Sequence, residues 1–438
     1  LGDNTTTSGR GRTRPFRLGR RVAVLIALLL AASAGFAQPA AGEASRETRL
    51  FSQIDAIVKE LSEITGLEAR HKVGYSIIGR DRLKTFLEER VKEEIKPEEI
   101  RVEQLLLHEF GFLPAEFDLK ATMIELYTEQ AAAFYDFQRK KLVVLESDDN
   151  SMQHAALVHE LAHALADQHF HLKKYLDQAG KNDDGALARM AVMEGQATWL
   201  MAETLVRDMG KSLLTSNAMV ELMNRMIGSS SGQFPVFDKA PLYIRESLLF
   251  PYTSGMKFQQ AVIKKYGQAG FSRVFRQPPA TTQNILHPAT YFEGRKLEQP
   301  RLPKLARQGR YRKLAEGVVG EFDFAILLQQ YVNKKAAHRV APGWRAGAYR
   351  LFEDKRDKHL VLIHASQWDT PETAGEFFRH YRTILDGKWE DAEFSATSGA
   401  EYAGTGGGGH FLVRLSGSTV YSVEGLRSPE DLRGWPKP

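Results

Sequence analysis

Apolar positions along the chain change period several times, and each change marks an element. Helical spacing runs through Leu50–Ile64, Arg80–Glu94, Pro97–Glu109 and 119–128, with Gly111 placed to cap the third. At Ala132–Tyr135 and Leu142–Leu145 the pattern predicts two short strands around the charged turn Asp136–Lys141. A helix is expected over Leu157–Phe170. After a polar loop at 172–183, a second long helix runs to about Met209, with Asp183 or Asp184 able to cap it. Gly228–Gly232 reads as a Ser/Gly linker. Gly255–Tyr266 reads as a helix before the Pro-rich stretch Gln277–His287.

From about Val340 the texture turns to short strands, at Ala348–Phe352, Leu360–His364, Phe411–Leu415 and Thr419–Val423. A helix over Pro371–Leu385 is expected between them. Its Ala374, Phe377, Phe378 and Tyr381 recur at a spacing that suits core packing rather than a membrane surface. The glycine run Gly404–Gly409 leads into a strand and lacks the lysine of a phosphate loop, so it reads as a hairpin connection. The whole predicts an α+β chain: a mainly helical domain with a short β-hairpin over 49–335, and a small α+β domain over 340–438.

The first residues alter the reading of charge. Residues 1–37 carry six arginines and one aspartate, a net of +5, which equals the net charge of all 438 residues. The remainder therefore sums to zero and offers no argument for nucleic-acid binding. Arg20-Arg21, the apolar run Val22–Ala32 and the small residues near Gly35-Phe36-Ala37 read as a secretory signal, with an uncleaved anchor as the alternative. An exported, periplasmic or extracellular protein is expected, with residues 38–48 a disordered start and no stable membrane span after cleavage. There is no cysteine, which excludes disulfides and thiolate metal sites.

The chemistry sits in the 157–170 helix, which contains His159-Glu160-Leu161-Ala162-His163. Residues four apart share a helix face, so both imidazoles can address one ion, with Glu160 beside them as general base for a water there. A catalytic zinc needs a third protein ligand and an open position. Glu194, on the next long helix after thirty intervening residues, is the candidate. The small Gly195 and Ala197 beside it would let the two helices approach closely. The expectation is one zinc ion held by His159, His163 and Glu194.

This pattern resembles the gluzincin metallopeptidases, in which a second helix supplies a glutamate ligand, and Glu194–Thr198 is similar to their E-G-x-A-S/T segment. The spacing here is longer. The chain also resembles a group of exported bacterial proteins at Tyr127–Tyr135, His159–Phe170, Ala188–Ala197, Pro278–Tyr291 and around Gly343-Trp344. The resemblance implies a zincin-like catalytic domain, His159, His163 and Glu194 as ligands, Glu160 as base, and a peptide or protein substrate. His287 and Tyr252 are candidates to donate to an oxyanion, or else a loop residue and a core residue. Asp167, one turn after His163, is either an acceptor for an imidazole or backbone N–H or a solvated charge. The strand ending at Tyr135 is either an edge that pairs with extended peptides or an ordinary hairpin. His108, His154, His169 and His171 fit no second metal set. Two other functions stay open: a non-catalytic zinc-holding envelope scaffold, and hydrolysis of a non-peptide amide.

Overall fold

The apolar spacing read from the sequence becomes helix over most of the first three hundred residues. The computed structural model describes residues 43–435 apart from 95, 131–132, 146–149, 181, 229–233 and 296. The expected signal over 1–37 lies outside these residues, as do 38–42 and most of the Ser/Gly linker. Residues 43–48, expected to be disordered, open the first helix, Glu43–Thr65. Helices Arg80–Glu94, Pro97–Phe110 and Leu119–Gln130 follow as the periodicity predicts.

The hairpin forms as β2 (Ala133–Asp136) and β3 (Lys141–Leu145), paired antiparallel. Asp136 accepts the N–H groups of Gln138 and Arg139 at 2.9 Å each, which closes the turn. A strand missed in the sequence, β1 (Gly74–Ile78), adds in parallel to β3. The sheet order is β1-β3-β2, so β2 is an edge.

Two helices carry the rest of this half. The histidine helix spans Asn150–Phe170, and the glutamate helix spans Asp183–Arg207. The cap of the latter is Asn182, whose side chain accepts the Gly185 N–H at 2.8 Å. Asp183 and Asp184, the caps expected from the sequence, instead lie inside the first turn. A third long helix, Leu242–Tyr266, starts well before the expected Gly255, because it continues through Pro251. A proline inside a helix removes one backbone bond. Here burial of Phe250, Pro251 and Tyr252 among neighbouring helices outweighs that loss. Among the described residues no helix is long and apolar enough to cross a membrane.

The C-terminal part is a seven-stranded antiparallel sheet: β5 (Tyr311–Gly317), β6 (Trp344–Asp354), β7 (Leu360–Trp368), β8 (Glu393–Thr397), β9 (Glu401–Gly406), β10 (Gly409–Ser416) and β11 (Thr419–Leu426). Its order is β5-β6-β7-β11-β10-β9-β8. Helices Glu321–Tyr331 and Pro371–Lys388 pack against it, the latter burying Phe377, Phe378 and Tyr381 as its spacing predicts. The small ribbon β4 (Lys304–Leu305) with β12 (Leu432–Gly434) adds a satellite core around Leu305, Val361, Ile363 and Val423. Gly407 and Gly408, both at positive φ, turn the β9–β10 hairpin, as the glycine run suggests. β5 and helix Glu321–Tyr331 belong to this sheet unit, which therefore begins before the boundary at 340 read from the sequence. β5 is hidden there by its charged Arg312, Lys313 and Glu316.

The sheet unit docks on the start of the glutamate helix. Gly317 and Gly320 are the points of closest approach: a Cβ at Gly317 would lie 2.2 Å from Asp183 Oδ2, and one at Gly320 1.8 Å from Asp184 Oδ1. Asp183 accepts from the Tyr349 hydroxyl on β6. Asp184 accepts from the Thr282 N–H at 3.0 Å and from the Thr282 hydroxyl.

Burial, reinforced by the charges of Asp323 and Glu321, pushes the Asp184 carboxyl up to about 8 despite the bonds from Thr282. A carboxyl raised above its unfolded value of about 3.9 adds stability that is complete below that value and is lost as pH rises through the folded value. The Asp184→Asn variant keeps the shape and a Thr282 bond but cannot ionise. Differential scanning calorimetry should show it gaining on the wild type by a few degrees between about pH 4 and pH 8. A difference that stays flat across that range would contradict the assignment.

Candidate metal centre

The histidine helix is buried on all sides: every residue from Ala156 to Asp167 is buried. Helix Glu43–Thr65, strand β2 and the glutamate helix enclose it. His159 and His163, 40° apart on the wheel, both point at Glu194. His159 Nε2 lies 3.1 Å and His163 Nε2 3.2 Å from Glu194 Oε2, and the two nitrogens are 3.0 Å apart. Four ligands around zinc at about 2.0–2.1 Å stand roughly 3.3 Å from one another in a tetrahedron, so these three atoms are set at nearly that spacing. They are the one group of three or more candidate ligands, among the described residues, that can share an ion.

Polar bookkeeping supports the same fit. Glu194 is fully buried, and its Oε1 has no partner; neither has Nδ1 of His159. Buried polar atoms without partners are costly and call for an explanation. Among the protein groups alone, burial would raise the Glu194 carboxyl, but the His163 charge and the hydrogen bonds from both histidines outweigh it and hold the group at about 2. Burial lowers the His159 imidazole. It also works to lower His163, but Glu194 reverses that and the net direction is upward. The cluster is thus an anion facing two imidazoles, with a strong demand for positive charge at their shared centre.

Glu160 points to the other side. Its Oε2 accepts the Tyr135 N–H of edge strand β2 at 2.8 Å. Burial raises its carboxyl to about 8, with Glu194 adding to the effect and His163 and the Tyr135 bond opposing it. Glu160 is therefore beside the ligand set, tied to β2, and not in the set. The same tyrosine is fixed at its far end, where its hydroxyl donates to Asp167 Oδ2 at 3.1 Å. Asp167 also accepts from Lys140 Nζ and, through Oδ1, from the Leu172 N–H at 2.8 Å. Of the two readings of Asp167, a solvated charge is excluded: it is buried and straps the hairpin to the histidine helix.

Tyr252 reaches the cluster, with its ring stacked on that of His159 at 5.9 Å. His287 does not. Its Nε2 is 2.7 Å from Glu321 Oε1 on the sheet-unit side. It follows Thr282, which binds Asp184, and Asp184 precedes Glu194 by ten residues, or about 15 Å of helix. The segment Pro278–Tyr291 holds the start of the glutamate helix rather than contributing to the ligand cluster. His169 Nε2 lies 2.7 Å from the Glu68 carbonyl oxygen, and none of His108, His154, His169 and His171 joins a set of candidate ligands.

Gly195 also acts differently from expectation. A Cβ there would lie 2.1 Å from the Gly255 carbonyl carbon, on helix Leu242–Tyr266, and one on Gly255 would lie 2.1 Å from the Ala191 carbonyl oxygen. Its smallness serves a contact between backbones behind Glu194, not the approach to the histidine helix. A glycine in each of two long helices was the available signal, and Gly255 was passed over because the helix was expected to begin there. Phe137, whose ring meets His163 edge-on at 6.1 Å, was also missed. Nothing in its local pattern marks it.

A protein-family model described as "Domain of unknown function (DUF8575)" matches residues 309–435, which is the seven-stranded sheet unit from just before β5. No curated protein and no solved structure matches the chain.

Proposed function

We propose that the chain is an exported zinc-dependent metallopeptidase. The carrying observation is the buried His159–His163–Glu194 cluster with Glu160 alongside it but outside the ligand set. Zinc, when bound, supplies Lewis-acid polarisation of a carbonyl and lowers the pKa of a water toward ~7. His159, His163 and Glu194 hold the ion. Glu160 takes the proton of the attacking water and returns it to the leaving amine. The Tyr135 N–H keeps the Glu160 carboxylate oriented, and the strap through Asp167 keeps Tyr135 in place. Edge strand β2 is the natural partner for an extended peptide, through main-chain hydrogen bonds. Tyr252, stacked on His159, is the remaining candidate to donate to the oxyanion.

One observation favours the second reading, a zinc-holding scaffold without activity: all four groups of the cluster are buried, His159 being the most exposed at 5 %. The two are separated by metal analysis together with digestion of a diverse peptide library. The peptidase reading expects one zinc per chain and new peptide termini that disappear on chelation and return with zinc. One zinc and no new termini would establish the scaffold. No zinc would remove both readings.

A further inference from the structure

A cavity of about 120 Å³ lies where the sheet unit meets the helical part. It runs along the same two helices as the metal cluster but away from it: Leu187 is two turns before Glu194, about 10 Å of helix, and Leu248 is one turn before Tyr252. Most of its wall is apolar, with Leu106, Phe110, Leu187, Leu248 and Val319 among the lining side chains. Its acidic lining is Glu103, which has interactions of its own, and Asp183, Asp184 and Asp323. Among the described residues no lysine, arginine or histidine lines it.

The hydrogen bonds given to the three aspartates come from neutral donors. Asp323 accepts from the Gly320 N–H at 2.8 Å and the Tyr243 hydroxyl at 3.1 Å, Asp183 from the Tyr349 hydroxyl, and Asp184 from Thr282. Burial pushes all three up, Asp183 to about 7, Asp184 to about 8 and Asp323 to about 6. Two independent features therefore meet: a void in an otherwise packed junction, and a wall of buried aspartates bonded by neutral donors. The acids are built in, since the glycines at 317 and 320 leave room for the side chains of Asp183 and Asp184. They do not gather around a point as metal ligands would. Among the described residues only the His159 cluster does so. The wall therefore suits a cation with a body rather than a bare ion.

We propose that this cavity binds a small organic monocation, an alkylammonium on a branched or cyclic apolar body. An apolar cavity of about 150 Å³ takes a benzene ring, so a ligand of roughly six heavy atoms fits here. The apolar part fills the void against Leu187, Leu248 and Val319, and the ammonium donates to the aspartate wall. A charge-assisted bond is stronger than a neutral one, so the amine should bind at least about tenfold tighter than an uncharged molecule of the same shape. The site stands independently of any activity at the metal cluster.

The test is calorimetric titration of the full chain, treated with chelator so that no amine–metal bond contributes. The probes are isopentylamine, 3-methylbutan-1-ol and 3-methylbutanoate. The expected result is saturable binding of one isopentylamine per chain, with the alcohol about tenfold weaker or more and the carboxylate silent. Asp323→Asn should weaken the amine by about tenfold, and Val319→Trp, which fills the void, should abolish it. Equal binding of amine and alcohol, no binding of the amine, or amine binding that survives Val319→Trp in a folded chain would each overturn the proposal. If Val319→Trp does not fold, the three probes on the wild type decide the matter.

Discussion

Replacing Glu160 by glutamine is expected to lower peptide turnover by about 10²–10⁴-fold while zinc stays bound one to one. The two halves of this result have separate physical sources. Turnover falls because an amide cannot accept the proton of the attacking water. Zinc is expected to stay because Glu160 contributes no atom to the candidate ligand set of His159, His163 and Glu194. The fold should also hold. Glutamine keeps a carbonyl oxygen to accept the Tyr135 N–H, which Glu160 accepts at 2.8 Å. Steady-state kinetics on whichever peptide the library yields, with zinc measured on the same preparations, checks both halves. Activity equal to the wild type would remove Glu160 from the mechanism, and zinc loss would place it in the ligand set.

The second large effect concerns a residue that touches no ligand. Gly195→Ala is expected to cost about 3 kcal/mol or more and to weaken zinc binding by at least about tenfold. The new Cβ would sit 2.1 Å from the Gly255 carbonyl carbon and 2.4 Å from its oxygen, both backbone atoms that no rotamer change can move. Relief requires the glutamate helix and helix Leu242–Tyr266 to part by about an ångström or more, which opens voids in their shared core. Glu194 is the adjacent residue, so the displacement reaches the ligand directly. Gly210→Ala is the control: that glycine has a φ of 70° but nothing within 4 Å of its would-be Cβ. It should cost only the strain of a left-handed alanine, about 1–2 kcal/mol. Urea midpoints and chelator competition measure the two quantities. If Gly195→Ala proves as mild as Gly210→Ala, the close packing is not needed to hold the ligand.

How much of this was legible depended on how local the information was. The ligand set could be assembled from the sequence because His159 and His163 are one turn apart and Glu194 belongs to a short helical motif. The hairpin was legible because its turn is closed by its own Asp136. What escaped depends on distant partners. β1 is a strand because β3 lies beside it, and β5 because β6 does; neither has a strong alternation of its own. The His287 segment is expected near the chemistry because it resembles a segment of the exported bacterial group, but the structure uses Thr282 within it to hold Asp184. Asp167 is legible as part of the helix that carries His159 and His163, while its partners Tyr135, Lys140 and Leu172 are assigned only in three dimensions.

The docking of Gly317 and Gly320 over Asp183 and Asp184 bears on modularity. The helix that presents Glu194 is held at its start by a loop of the sheet unit and behind Glu194 by Gly255. Removing the sheet unit would expose the apolar junction and take away the Tyr349 partner of Asp183. It would leave the first turn of that helix held by Thr282 without the Tyr349 contact. The matched family region therefore acts here as part of the frame of the metal cluster. In rearrangement or recombination the two halves would have to travel together.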